Sequence, residues 1–177
     1  MRGLSKVLLV LTGLIAVPSF SDAKTMLEIF GHGVFDTSWG MSIDEVKAIH
    51  PSGKTQEVFG TTRYFITDGR SLFGIEREKN SFIGFVFGTD EKLIGVSIGM
   101  PSGTGSFAKT QTSITTSIGV ESKAVDNSAG VPIISWSDET GIEIKLMKTS
   151  GIFSQDVTLT IEKKPTPKDT TKEALGF

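Results

Sequence analysis

Residues that could carry out acid–base or metal chemistry are few in this chain. It has two histidines, His32 between two glycines and His50 directly before a proline, and no cysteine. A general base needs a partner within hydrogen-bond reach, and a metal site would need a carboxylate such as Asp36 or Asp44, with no HExxH spacing to support it. We expect His50 to be a solvated side chain at a helix end, His32 to be a surface residue, and no metal to be bound. A hydrolase stays an alternative only if one histidine lies beside a carboxylate in a cleft.

Two further patterns resemble catalytic motifs superficially. The run Gly-Thr-Gly-Ser-Phe-Ala at 103–108 is similar to a dinucleotide fingerprint, but that fingerprint needs a parallel βαβ unit and the turns around this run favour antiparallel strands. Acidic pairs at 90–91 and 138–139 fall at expected hairpin tips, where adjacent carboxylates do not face each other across a cleft. We therefore expect no cofactor and no catalytic residue. The protruding tip Asp90-Glu91 suits insertion into a basic pocket of a partner.

The N-terminus indicates an exported protein. Residues 1–23 show the order of a cleavable signal peptide: basic residues, an apolar run, then Ser-Asp-Ala as a cleavage site. The apolar run is shorter than the roughly 20 residues that span a bilayer, and no cysteine follows it for lipidation. We expect a periplasmic or secreted protein without a membrane anchor.

The composition of the remaining chain limits its partners and its chemistry. Removing residues 1–23 leaves 16 basic and 19 acidic residues, a formal charge of −3, so nucleic-acid binding is not expected. The lack of cysteine excludes thiol chemistry and disulfides, and stability must come from apolar burial. We expect one α+β domain at 24–164, with halves at about 35–100 and 101–163. The polar, Pro- and Thr-rich tail at 165–177 is expected to be disordered.

Local signals predict two short helices and three later strands. Ser42 and Glu45 have the spacing of a capping box, and a proline ends the predicted helix 43–50. A second helix is expected over 106–118, with Ser106 as a possible cap and a glycine as its stop. Alternating residues predict strands at 131–136, 142–147 and 157–161.

Three turns predict a four-stranded meander in the first half. Asp68-Gly69 is a two-residue hairpin signal, the segment 78–80 fits a three-residue loop, and 88–91 fits a four-residue loop. The resulting register pairs Tyr64 with Phe73, Phe73 with Phe85, and Phe85 with Ile94, and these form the core face. The order helix, meander, helix, meander indicates a diverged duplication, with two short helices packed on one face of the antiparallel sheet.

The opposite face of this predicted meander has a shallow groove. Gly74, Gly84 and Gly95 align across neighbouring strands beside Arg63 in the predicted register, and glycines in strands mark bends or close approaches. With the acidic tip, this face supplies our candidate partner-binding residues: Arg63, Phe65, Leu72, Glu76, Phe82, Val86, Leu93, Asp90 and Glu91. The alternative is that the second meander, the N-terminal segment or a dimer mate covers this face, because monomers rarely expose large apolar patches.

The layout resembles a known group of exported domains. The run Trp-Gly-Met-Ser at 39–42, followed by Asp-Glu-Val-Lys at 44–47 and later by a strand with Trp136, resembles small bacterial domains of the β-lactamase-inhibitor-protein-like and SmpA/OmlA-like type. The likeness covers most of 35–162 in layout. It implies helices on one sheet face and a protein partner on the other. The chain lacks the lipidated cysteine and the disulfides of these groups, so neither function carries over residue by residue.

These observations favour binding over catalysis. The first hypothesis is an exported, non-enzymatic domain that binds another exported or envelope protein, as an inhibitor or toxin-immunity protein acting by steric occlusion. The second is an envelope assembly or structural accessory protein that self-associates, for example as a homodimer. Both follow from the scarcity of catalytic groups and from the groove face.

Overall fold

The computed structural model describes residues 25–103, 105–127, 130–148 and 157–164. The predicted signal peptide at 1–23 and the predicted disordered tail at 165–177 lie outside these residues. The elements follow in the order α1 (Met26–Phe30), α2 (Ile43–Ile49), β1 (Lys54–Val58), β2 (Thr61–Thr67), β3 (Phe82–Phe87), β4 (Leu93–Met100), α3 (Ser106–Ile118), β5 (Lys123–Ala124), β6 (Ile133–Ser137), β7 (Ile142–Lys148) and β8 (Val157–Lys163). No helix in these ranges is long and apolar enough to cross a membrane.

The strands of the described residues form one antiparallel sheet of eight, in the order β1-β2-β3-β4-β8-β7-β6-β5. Two meanders, β1–β4 and β5–β8, meet where the last strand of each pairs with the other, with Val96 opposite Ile161. An antiparallel sheet with a few short helices is the coarse architecture that the sequence predicted. The strands of the second meander begin and end within two residues of their predicted bounds, except for the missed short strand β5.

The core lies on one face of this sheet. One cross-strand row runs through six strands, and its members are at most 2% exposed: Tyr64, Phe85, Val96, Ile161, Ile144 and Trp136. The helices add Val46, Ile114 and Ile118 to the same buried cluster. Burying one such side chain stabilises the fold by about 1.5–3 kcal/mol, so the apolar alternation of the strands decides which face turns inward.

The helix ends follow from their caps. The Ser42 hydroxyl accepts a hydrogen bond from the Glu45 backbone NH, and the Glu45 carboxylate accepts one from the Ser42 backbone NH, which completes the predicted capping box. Helix α3 has the predicted bounds and ends at Gly119 with a φ of 66°, but its N-cap is Gly105 rather than Ser106. Helix α1 was not predicted, although Thr25 and Glu28 form the same capping box.

The predicted strand between Asp68 and Glu78 is wrong, because β2 pairs directly with β3. The Asp68 carboxylate accepts the Arg70 backbone NH at 2.7 Å, which starts a side-chain turn instead of a hairpin. The backbone NH and carbonyl groups of Leu72 and Ile75 then form two hydrogen bonds with each other across a tight turn. Residues 68–81 are therefore a loop, and β1 supplies the fourth strand of the meander.

Arg77 fastens this loop to the sheet. Its buried guanidinium donates to the carbonyl oxygens of Gly99 at 2.8 Å, Phe82 at 3.1 Å and Arg70 at 3.2 Å. Burial lowers the pKa of Arg77, and Asp68 opposes this shift in part. The loop is thus held by one cation that is satisfied by backbone carbonyls.

A bulge changes the predicted register of β3 and β4. Phe85 lies opposite Val96 rather than Ile94, and the register shifts between Val86 and Phe87. Since an extra residue turns the following side chains to the other face, Leu93 points into the core and is 1% exposed. Its predicted place on the groove face is wrong.

Candidate binding groove on the open sheet face

The open face is the side of the sheet opposite the core, and a groove of about 260 Å³ lies across its centre. Strand β4 contributes small residues to this face, since Gly95, Ser97 and Gly99 alternate with the core residues Val96 and Ile98. The groove is lined by residues from both meanders: Val58, Phe59, Arg63, Phe82, Val86, Ser97, Met147, Thr158, Thr160 and Glu162.

Gly95 lies between two residues that line the groove, Val86 and Glu162. In the register of the sheet Arg63 lies opposite Val86, Val86 opposite Gly95, and Gly95 opposite Glu162. A β-carbon on Gly95 would lie 3.1 Å from the Glu162 Cγ and 3.7 Å from the Val86 Cβ. Because Gly95 has no β-carbon, the side chains of Val86 and Glu162 flank an open space above its backbone. Arg63 lies on the next strand beyond Val86.

Arg63 is the unusual residue of the groove. Its Nε is buried and has no hydrogen-bond partner among the described residues. Burial lowers the pKa of Arg63, and the negative charge of Glu162 offsets this only in part. An unsatisfied buried donor costs about 1–3 kcal/mol, so this side chain reduces the stability of the domain unless something pairs with it.

Glu162, which lines the groove on the side of the second meander, belongs to a chain of ion pairs. Lys145 Nζ lies 3.0 Å from Glu143 Oε2 and 3.2 Å from Glu162 Oε2, and Lys164 Nζ lies 3.0 Å from Glu143 Oε2. Burial alone would raise the pKa of Glu143, but hydrogen bonds from Lys164 and Lys145 outweigh it, and the pKa lies below its ordinary value. The pKa of Lys145 is raised, because Glu143 and Glu162 outweigh the effect of burial. The Glu162 carboxylate is thus already paired with Lys145.

Aromatic residues form the wall on the side of the first meander. The Phe65 ring lies over Gly84, where an added β-carbon would be 2.6 Å from the Phe65 Cε1. Phe65 also packs edge-on against Phe82, with ring centroids 6.3 Å apart. The two rings and the bare backbone of Gly84 therefore form one packed unit beside the groove.

Phe59 stands at the mouth of the groove in the turn between β1 and β2. The turn has two central residues at positive φ, Phe59 at 51° and Gly60 at 73°, a geometry that favours Asn-Gly and is uncommon for a bulky residue. Phe59 is 88% exposed. Phe73 and Gly74 form a turn with the same signs of φ, but the Phe73 ring packs against Phe30 at 5.8 Å. Phe59 thus adopts a strained conformation while most of its surface is exposed.

The structure brings together only some of the predicted candidate residues. Arg63, Phe82 and Val86 line the groove, and Phe65 lies beside them over Gly84. The remaining candidates lie elsewhere. Leu72 sits in the loop and packs against the core near α1, Glu76 lies near the start of α3, and Asp90 and Glu91 form the β3–β4 turn.

The predicted row of three glycines is also wrong, although a groove is present. Gly74 lies in the loop, Gly84 is opposite Ser97, and Gly95 is opposite Val86. Sequence reasoning missed the wall from the second meander, which comprises Met147, Thr158, Thr160 and Glu162. The alternation of β7 and β8 places these residues on one face, but only the pairing of β4 with β8 brings them beside the first meander.

His50, one of the residues considered for catalysis, makes structural contacts. His50 is not a solvated side chain: its Nε2 lies 2.9 Å from the Phe35 carbonyl oxygen, and its ring stacks on Phe85 at 5.2 Å. Within the described ranges neither histidine bonds to a carboxylate, and no cluster of three metal-ligating side chains occurs. The run at 103–108 leads into α3 between antiparallel strands rather than in a parallel βαβ unit.

Comparison with protein-family models, with curated proteins and with solved structures found no match. The geometry of the open face is therefore the basis for proposing a function.

Proposed function

We propose that this protein is an exported, non-enzymatic binding domain that docks the open face of its sheet on another exported or envelope protein. It acts by steric occlusion, as an inhibitor or a toxin-immunity protein does. The observation that carries the proposal is Phe59, an aromatic side chain 88% exposed at positive φ beside an apolar groove. A residue that breaks the local rules of its turn without gaining packing marks a functional position, and exposed aromatics are common anchors of protein interfaces.

The fold supports this proposal through its layering. We propose that the chain is a diverged duplication of two helix-plus-meander units, α2 with β1–β4 and α3 with β5–β8, whose helices pack on the core face. The buried residues of α2 and α3 include Val46, Ile114 and Ile118, which join the core cluster, and strands alone with the β1–β2 turn line the groove. The resemblance to β-lactamase-inhibitor-protein-like and SmpA/OmlA-like domains implies this layout of helices and sheet. The resemblance itself stays a prediction.

Self-association is the second candidate function. Phe59 and Ile94, which is 38% exposed, both line depressions at the end of the sheet where β2 begins and β3 ends. Two copies that cover these side chains would form an envelope assembly or accessory dimer. Size-exclusion chromatography with light scattering tests this: a homodimer that Phe59→Asn converts to a monomer favours self-association, and a wild-type monomer excludes it.

Site-specific photo-crosslinking tests the docking proposal. Benzoylphenylalanine replaces Phe59 or Gln56, which lies opposite Arg63 on β1, and the matched control replaces Thr112, an exposed residue on α3. We expect both open-face positions to crosslink the same exported protein in cells and position 112 not to. Equal crosslinking from position 112, or none from the open face, would refute the docking proposal.

A further inference from the structure

We infer that the groove recognises an acidic side chain adjacent to a large apolar side chain on the partner protein, with the carboxylate pairing with Arg63. This inference rests on the proposed function and names the chemistry of the docking partner. The apolar side chain would lie on Phe82, Val86 and Met147, which line the same groove.

Arg63 has unsatisfied hydrogen-bonding capacity. A guanidinium has five donors in a fixed planar arrangement that matches a carboxylate, yet the Arg63 Nε has no acceptor among the described residues. Arg77 is equally an arginine in a dry environment, but it donates to three carbonyl groups. A carboxylate that reached Arg63 would supply a charge-assisted acceptor where none exists, which is among the stronger polar contacts.

The charges in and beside the groove also favour a partner carboxylate. Glu162, the carboxylate that lines the groove, contacts Lys145, and Lys145 and Lys164 both contact Glu143, which lies outside the lining. Among the described residues Lys145 and Lys164 have direct ion pairs with these carboxylates, whereas Arg63 has none. A partner ammonium would compete with Lys145 for Glu162, whereas a partner carboxylate neutralises the remaining charge without displacing an existing pair.

The size of the groove favours an apolar side chain of the partner. Its volume of about 260 Å³ is at the small end for ligand pockets and suits a single side chain. Ser97 is the residue of β4 that lines the groove, and the lining residues Val86 and Met147 come from different meanders. A Phe or Leu of the partner can bury apolar surface here while its acidic neighbour reaches Arg63, and Phe59 would pack against the partner at the groove mouth.

The test uses 3-phenylpropionate as a probe and 3-phenylpropionamide as its uncharged match, with the chain from Lys24 onward. In nitrogen-15 NMR we expect the carboxylate to shift the Arg63 Nε–Hε signal saturably, and the amide to bind at least tenfold more weakly. Arg63→Gln should abolish the difference between the two probes. Arg70→Gln is the control, because Arg70 is an exposed arginine paired with Asp36 and Asp68, and it should keep the difference. Equal binding of both probes, or shifts away from the groove, would overturn the inference.

The crosslinking assay separates this inference from the proposed function. If positions 59 and 56 crosslink a partner, and the Arg63→Gln variant binds that partner as tightly as the wild-type protein does, the docking function stands and the carboxylate inference fails. If the probe binds at Arg63 but no open-face position crosslinks a protein, the groove is a site for free carboxylates, and both the docking function and the partner-protein source are overturned. A tenfold or greater loss of partner binding in Arg63→Gln, with unfolding as in wild type, supports the inference.

Discussion

At the scale of single residues, two half-buried or buried arginines have opposite roles in this molecule. Arg77 donates to three backbone carbonyls and ties the loop at 68–81 to β4, so it contributes to folding. The Arg63 Nε is buried without a partner among the described residues, so this donor adds no hydrogen bond to the isolated fold. Both have lowered pKa values because of burial, and only their hydrogen bonds distinguish them.

Arg77→Met should destabilise the domain by about 2–4 kcal/mol, because three carbonyl groups lose a donor within a buried site. Urea unfolding followed by circular dichroism measures the change. The control in the same loop is Arg70→Met, which removes ion pairs of a side chain that is 46% exposed and should cost at most about 1 kcal/mol. Similar losses for the two variants would contradict the anchoring role of Arg77.

Gly84→Ala should destabilise the domain by about 1–3 kcal/mol through overpacking. The new methyl group would lie 2.6 Å from the Phe65 Cε1, and the ring cannot rotate freely because it packs on Phe82. In a double-mutant cycle the same change in a Phe65→Ala background should cost about 1 kcal/mol less. Additive free energies of unfolding would show that the ring does not occupy that space.

At the scale of elements, the turn between β1 and β2 places a bulky residue, Phe59, in a backbone conformation that such residues rarely adopt. Two Phe-Gly turns occur in the described residues, at 59–60 and 73–74, and all four of these residues have positive φ. The Phe73 ring is held against Phe30, which compensates for the strain, whereas Phe59 is 88% exposed. These two turns allow a matched comparison of how the same substitution changes the free energy of unfolding.

Phe59→Asn should stabilise the isolated domain by about 1 kcal/mol, since Asn tolerates the left-handed conformation that costs a bulky residue about that much. Phe73→Asn should destabilise it, because the relief of strain does not replace the lost packing against Phe30. Thermal and urea unfolding of the two variants provide the measurement. A loss of stability in Phe59→Asn would mean that the Phe59 ring makes a structural contact.

The ion pairs between β7 and β8 should give stability a defined pH dependence. The pKa of Glu143 is lowered in the folded state, so its contribution is present at neutral pH and is lost as the pH falls through the folded value. The pKa of Lys145 is raised, so its contribution is present below the ordinary lysine pKa of about 10.4 and is lost as the pH rises through the folded value.

The variant Glu143→Gln tests this dependence. The difference between its free energy of unfolding and that of wild type should be largest near neutral pH and should shrink as the pH falls below about 4. Urea unfolding at a series of pH values measures it, with Lys145→Gln as the partner control that also weakens the acid dependence. Parallel profiles for wild type and Glu143→Gln would exclude Glu143 as the source.

At the scale of the whole molecule, the two meanders depend on each other. Residues 95–100 of β4 pair with residues 157–162 of β8 at the centre of the sheet, and Val96, Ile98, Leu159 and Ile161 there are fully buried. The groove also takes one wall from each meander. The pairing of β4 with β8 therefore both joins the two halves of the core and brings the two sides of the groove together.

The fragment 25–104 should not unfold cooperatively as a monomer, because it would expose the edge of β4 and the apolar residues that pack against β8. We expect it to be unfolded or to pair with a second copy through β4, and addition of the fragment 105–164 to restore native circular dichroism. Light scattering and urea unfolding measure both effects. A monomeric fragment with a sharp unfolding transition would show that the first meander is an independent unit.

The sequence alone determined the elements whose signals are local. Helix α2 follows from the Ser42–Glu45 capping box, α3 from its periodicity and Gly119, and β7 and β8 from strict alternation. These signals depend on residues within one turn or one strand, so no distant contact can reverse them easily. The presence of one antiparallel sheet with short helices followed from them.

Only the tertiary structure decided which strands pair and what lies beside the groove. Asp68-Gly69 is compatible with a hairpin and with a side-chain turn, and the contacts of Arg77 with distant carbonyls accompany the second. The bulge beside Val86 moved Leu93 into the core. Glu162 reached the neighbourhood of Arg63 through the pairing of β4 with β8. Each outcome depends on free energies summed over contacts remote in sequence, which no local pattern contains.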